Sequence, residues 1–136
     1  MFGIAISSST EKRLLQIAVA TACMVPLTAG FSGVLRGAGL VGGGNIDMDS
    51  HFRYLSGLLL GLGLGFFSAI PGIERQGARV RLLTLIVVIG GTGRLLGLFL
   101  AGMPGPSMLG ALVMELVVTP SLCLWQYHLA RRFKLS

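Results

Sequence analysis

Four long apolar blocks limit what this chain can fold into, because each is about as long as a membrane-spanning helix. A helix needs roughly 20 apolar residues to cross the ~30 Å hydrocarbon core of a bilayer. Apolar residues run continuously through each block instead of alternating, which excludes the strands of a membrane barrel. Only 12% of the 136 residues are charged, whereas soluble domains carry about 25%. The blocks are Leu14–Leu35, Phe52–Ile70, Val80–Leu100 and Met108–Tyr127.

These blocks predict an all-α, polytopic membrane protein, with residues 1–136 forming one domain: an antiparallel bundle of four transmembrane helices. Most of the basic residues lie in segments that an even number of crossings places on one side of the membrane. Because basic loops are retained in the cytoplasm, we expect both termini there. Topology then accounts for the net charge of +6, and we expect no nucleic acid partner. The basic residues on that side are Lys12, Arg13, Arg75, Arg79, Arg81, Arg131, Arg132 and Lys134.

Small residues recur along one face of the second block and one face of the third. A stripe of this kind lets another helix backbone approach closely. We favour packing within the chain, since four helices with short loops must pack in any case, but a second subunit is an open alternative. The glycines concerned are Gly57, Gly61 and Gly65 in the second block, and Gly90, Gly93 and Gly97 in the third.

Two ionisable residues lie deep inside apolar blocks, Arg94 in the third and Glu115 in the fourth. An isolated charge near the bilayer centre costs roughly 3 kcal/mol on insertion scales, so such residues face protein or water. At 1.5 Å per residue, Arg94 is ~9 Å and Glu115 ~12 Å from the same end of two antiparallel helices. We therefore expect an ion pair. It either fixes helix register or forms part of a ligand or proton site.

A second polar group precedes the second block and consists of Asp47, Asp49, His51 and Arg53. We expect Asp49 or Ser50 to cap the helix that follows. With Arg94 and Glu115, the residues Asp49, His51 and Arg53 are predicted to form one intramembrane polar cluster, in which Arg53 could also reach Glu115. A metal is the weaker interpretation, because the spacing matches no known ligand set. We predict neither a catalytic residue nor a metal ligand.

Several segments resemble a family of small four-helix bacterial membrane proteins, known as domain of unknown function four-three-four-five. The segments are DSHFRYLSGLLLGLGLGF, IPGIERQGARVRLL, GGTGRLLGLFLAGMPGP and MELVVTPSLCLWQ. The resemblance extends from about Leu14 to Arg132. It implies a four-helix integral membrane protein, and it brings no activity, cofactor or established partner. We expect the protein to be a multi-pass protein of the bacterial inner membrane.

The absence of catalytic groups and the glycine stripes favour a non-enzymatic accessory subunit, or a structural or binding module of a membrane complex. Its expected partners are the lipid bilayer and a second membrane protein or a further copy of this chain; we expect no cofactor. The alternative is a small carrier or binder of a lipid, quinone or other anionic amphiphile that uses the Arg/Glu/His cluster. A metalloenzyme using Asp47, Asp49 and His51 is the least favoured hypothesis.

Overall fold

A computed structural model describes residues 7–135, and these residues form helices joined by short loops, with no strand among them. Helix α1 is Ser8–Arg36, followed by a 3-10 segment, Gly37–Val41; α2 is Ile46–Ala69 and α3 is Gly77–Ala101. The fourth helix is continuous in three parts: α4, Pro106–Val113; a π-helical segment, Met114–Val118; and α5, Thr119–Leu135.

In this described part of the chain, four helices have the length and hydrophobicity needed to cross a membrane. The predicted all-α membrane fold is therefore confirmed. The cytoplasmic location of the termini stays a prediction. So does the single domain, whose outermost residues, 1–6 and 136, lie outside the described residues.

The start of α2 differs from the prediction. The helix begins at Ile46, six residues before the predicted start, because Asn45 adopts an extended conformation and its side-chain oxygen accepts from Met48 N at 2.8 Å. Asn45 is thus the N-cap, and the expected cap at Asp49 or Ser50 is wrong. Asp47 and Asp49 fall in the first turn, where their negative charge suits the positive end of the helix dipole.

The described residues divide into two compact units. The first, which we call the hairpin unit, is Val19–Ile70 and contains most of α1 together with α2. Its two helices are antiparallel and touch at glycines of α1. A Cβ added to Gly30 would lie 2.6 Å from the backbone nitrogen of Leu60, and one added to Gly33 would lie 2.7 Å from the Cβ of Ser56. Glycine is therefore required at these two positions.

The second, which we call the terminal unit, combines the described residues up to Ala18 with those from Pro71 onwards. Here α3 runs antiparallel to the fourth helix. The two helices approach closely at Gly91, where an added Cβ would lie 2.9 Å from both Glu115 Cβ and Leu116 Cδ2. Fully buried side chains of this unit include Leu15, Ile73 and Leu129.

Most glycines of the two predicted stripes lie away from these helix contacts. A Cβ at Gly57 would lie 3.9 Å from Val34, and Gly65 is half-buried. Among the described residues, an added Cβ would have no heavy atom within 4 Å at four of the six positions: Gly61, Gly90, Gly93 and Gly97. None of these four therefore makes a close helix contact within its own unit. Packing elsewhere within the chain and packing against a partner outside it both stay predictions.

The positions of these residues around the helix axis explain why the predicted glycines of α3 are not at its contact with the fourth helix. Gly91 precedes Gly93 by two residues, so at ~100° per residue the two face nearly opposite sides of α3. Spacing identifies a face made of small residues, but it does not identify which face of a helix a neighbour covers.

Candidate functional site

The predicted ion pair is present between α3 and the fourth helix. Arg94 Nε donates to Glu115 Oε2 at 3.0 Å, and Arg94 Nη2 donates to Glu115 Oε1 at 3.1 Å. The pair is therefore bidentate, the geometry in which an arginine–carboxylate interaction is strongest. The side chains are 35% and 19% exposed. Arg94 thus lies at the margin of the helix contact, and Glu115 lies further inside.

The position of Arg94 on α3 explains this margin. It follows Gly91 and precedes Gly97 by three residues each, so at ~100° per residue it is ~60° from both. Gly91 marks the face covered by the fourth helix, and Gly97 belongs to the open glycine face. Arg94 stands on the border between them. Its Nη1 is 2.9 Å from Met108 Sδ, a weak acceptor at the start of the fourth helix.

Glu115 belongs to the π-helical segment of the fourth helix. Pro120 follows this segment and has no N–H for the carbonyl of Leu116, so the regular hydrogen-bond ladder is interrupted here. The π-helical segment, whose turn is wider than that of an α-helix, ends at Thr119. The backbone N–H and the hydroxyl (2.8 Å) of Thr119 both donate to the carbonyl of Met114. π-Helical turns are rare and occur often at functional sites. This one positions the acidic partner of Arg94.

The second pair of predicted residues, Asp49 and Arg53, forms an ion pair in the hairpin unit. Arg53 Nε donates to Asp49 Oδ2 at 2.7 Å, while Asp49 Oδ1 accepts from the backbone N–H of Ala38 at 2.8 Å. Arg53 Nη1 also donates to the carbonyls of Val34 (2.6 Å) and Leu35 (3.0 Å). These carbonyls belong to the last turn of α1, which would otherwise leave them without donors.

Asp49 and Arg53 therefore join the end of α1 to the start of α2, and they do so at Gly37. This glycine has φ +60°, a left-handed conformation that disfavours other residues. A side chain there would also meet the carboxylate of Asp49 and lie 2.7 Å from Arg53 Nη2. Capping of the end of α1 by Arg53 and the ion pair between Arg53 and Asp49 account for these contacts.

The five predicted polar residues are thus distributed over both units. Arg94 pairs with Glu115 in the terminal unit, and Asp49 pairs with Arg53 in the hairpin unit. His51 is exposed on α2. A single cluster of all five stays a prediction. Among residues 7–135, no three His, Cys, Asp or Glu side chains are grouped as metal ligands.

A further polar group, at the other end of the terminal unit, was not predicted from the sequence. Glu11 accepts from Trp125 Nε1 at 3.2 Å and from Arg132 Nη1 at 2.7 Å, which ties the start of α1 to α5. Gln126 is 1% exposed and donates to the carbonyl of Ile73 at 2.8 Å. A lone amide next to a tryptophan near the end of an apolar helix is the sequence signal that could have found it.

Glu74, between α2 and α3, lies 3.0 Å from Lys12 Nζ. Burial acts to raise the pKa of its carboxyl. Hydrogen bonding to its own backbone N–H and to Lys12, together with the positive charges of Lys12 and Arg75, outweighs burial and holds the pKa below its usual value of 4.5. Glu74 is therefore a carboxylate at neutral pH, and this end of the unit is joined by ion pairs.

Helices of spanning length and an ion pair between two of them define the class: an integral membrane protein built from α-helices. The chain belongs to the family described as Domain of unknown function (DUF4345), whose profile matches residues 14–126. This match confirms the family resemblance noted from the sequence. No curated protein and no solved structure matches the chain significantly.

Proposed function

We propose that this protein is a non-enzymatic accessory subunit or binding module of a membrane complex, and that the open glycine face of α3 receives a helix of the partner. The single observation that supports it is the exposure of Gly90, Gly93 and Gly97 together on one face. Lipid can cover any apolar face of a helix. A face made of glycines also lets the backbone of another helix approach closely. We place this complex in the bacterial inner membrane, on the family resemblance and the distribution of basic residues.

Photo-crosslinking in the native membrane tests this proposal. Ile86 is 45% exposed and lies eleven residues before Gly97, so it is within ~20° of the glycine face. Leu85 is the matched control, since it is 56% exposed but ~100° away around the helix. A photoreactive residue at position 86 should yield one discrete protein adduct, and the same residue at position 85 should not. Mass spectrometry of the adduct identifies the partner.

The adduct at position 86 should disappear when Gly93→Leu is added, because the larger side chain prevents close approach while the chain itself has room for it. An adduct with a second copy of this chain would replace the accessory role by a structural homo-oligomer. Protein adducts of equal yield at both positions, or lipid adducts alone, would refute the glycine face as a partner surface.

A further inference from the structure

Arg94 has hydrogen-bonding capacity that its protein partners leave unused. A guanidinium carries five N–H groups. Glu115 takes one from Nε and one from Nη2, and Met108 Sδ takes one from Nη1. The edge between Nη1 and Nη2 therefore has only a thioether as acceptor among residues 7–135. In a medium of low polarity, a charged donor without a strong acceptor is costly, and this edge requires one.

Arg94 also lines a groove at the end of α3. It has a volume of about 440 Å³ and is lined by Arg94, Gly97, Met108 and the loop residues Met103 and Pro104. The walls other than Arg94 are apolar or backbone. A groove of this size accommodates a small polar group together with the first atoms of an attached chain.

The depth of the groove indicates which acceptor is available. Arg94 lies seven residues before Ala101, the last residue of α3, and thus ~10 Å from the helix end. Arginines at this depth extend their head groups towards the membrane interface. The strong acceptor that the interface supplies is the phosphate of a phospholipid, and a phosphate matches the two parallel N–H groups of a guanidinium edge.

We propose that this groove is a phospholipid site, in which two oxygens of one phosphate diester accept from the Nη1–Nη2 edge of Arg94. Glu115 holds the opposite edge and neutralises the charge of the arginine. The site therefore recognises the diester itself and not the net charge of the head group. The apolar groove walls contact the chains next to the glycerol. This proposal goes beyond the partner-binding role and does not depend on it. Gly97 belongs to both the groove and the glycine face, so the two sites adjoin at this residue.

Native mass spectrometry of the purified full-length protein tests the site without disturbing the ion pair. Gly97→Phe fills the groove, and Leu85→Phe is the control, because position 85 is off the glycine face and twelve residues, ~18 Å along α3, from Gly97. Position 97 has no heavy atom within 4 Å of an added Cβ, and Leu85 is exposed, so the fold of each variant should be unchanged. The bound fraction is measured in detergent during titration with phosphatidylethanolamine, phosphatidylglycerol or diacylglycerol of identical chains.

Wild type and Leu85→Phe should bind one phospholipid with similar affinity for both head groups. Gly97→Phe should bind at least about tenfold more weakly, the factor that one hydrogen bond to a charged group is worth. Diacylglycerol should not compete, since it lacks the phosphate. Equal binding by Gly97→Phe and wild type, no binding by wild type, or effective competition by diacylglycerol would each overturn the proposal. None of these results bears on the partner helix, which is read from protein adducts.

Discussion

Replacing either partner of the Arg94–Glu115 pair should destabilise the protein, and replacing both should cost less than the sum. Arg94→Ala leaves Glu115 as a half-buried carboxylate without its bidentate donor, and Glu115→Ala leaves Arg94 with the weak acceptor Met108. Loss of one member of a fully buried pair costs about 3–5 kcal/mol. Because Arg94 retains 35% exposure, solvent and head groups screen part of this, and we expect about 2–3 kcal/mol for each single variant.

The coupling free energy between positions 94 and 115 tests the ion pair more directly than the loss of stability in either single variant. Single neutral hydrogen bonds between transmembrane helices average about 0.6 kcal/mol in double-mutant cycles. Two charge-assisted bonds at 3.0 and 3.1 Å should exceed that value, so we expect a coupling of about 1–2 kcal/mol. The double variant should accordingly unfold at a free energy about 3–4 kcal/mol below wild type.

Unfolding by sodium dodecyl sulfate in mixed micelles provides the assay, after reversibility has been established. Trp125 is the one tryptophan of the chain, and it hydrogen-bonds to Glu11 in the terminal unit, so its fluorescence reports on the unit that contains the ion pair. Thr92→Ala is the matched control. Its hydroxyl donates to Val88 of its own helix, and it lies nearly opposite Arg94 on α3.

A cycle between Thr92→Ala and Glu115→Ala should be additive within about 0.5 kcal/mol. If the effects of Arg94→Ala and Glu115→Ala also add within about 0.5 kcal/mol, the ion pair is refuted, since two side chains joined by two hydrogen bonds cannot be energetically independent. The swapped pair, with glutamate at position 94 and arginine at position 115, should recover part of the stability lost by the single variants.

Three other predictions concern packing, capping and topology. Gly91→Ala should lower stability by about 1–3 kcal/mol through overpacking against the fourth helix, whereas Gly93→Ala should be neutral or slightly stabilising, as measured in the same micelle assay. Arg53→Ala should cost about 1–3 kcal/mol because two carbonyls of α1 and a carboxylate lose their donor; His51→Ala, at an exposed position of the same helix, should change stability by less than about 0.5 kcal/mol. Reporter fusions at the carboxyl end and in the loop between α3 and α4 should report opposite sides of the membrane, and a carboxyl end outside the cytoplasm would disprove the orientation inferred from the basic residues.

The sequence alone was sufficient for the class of protein and for the Arg94–Glu115 pair. Continuous apolar blocks of spanning length leave no alternative to helices, because a bilayer offers no hydrogen bonds to an open backbone. The pairing followed from depth arithmetic, since consecutive antiparallel helices bring residues at similar distances from one end to the same level. Both inferences rest on one-dimensional quantities, namely length, hydrophobicity and distance along a helix.

The tertiary structure decided which face of a helix its neighbour covers and which local contacts the polar side chains make. Spacing marked the small-residue face of α3, but only packing shows that the covered face is the one with Gly91, while Gly93 and Gly97 stay open. The close helix contacts of the hairpin unit, at Gly30 and Gly33, were likewise missed. The hydrogen bonds from Arg53 to the last carbonyls of α1 were also missed, because the sequence does not show which side chain of α2 lies beside the end of α1. A periodic pattern fixes angles within one helix; the angle between a helix and its neighbour depends on which side chains of both helices fit together.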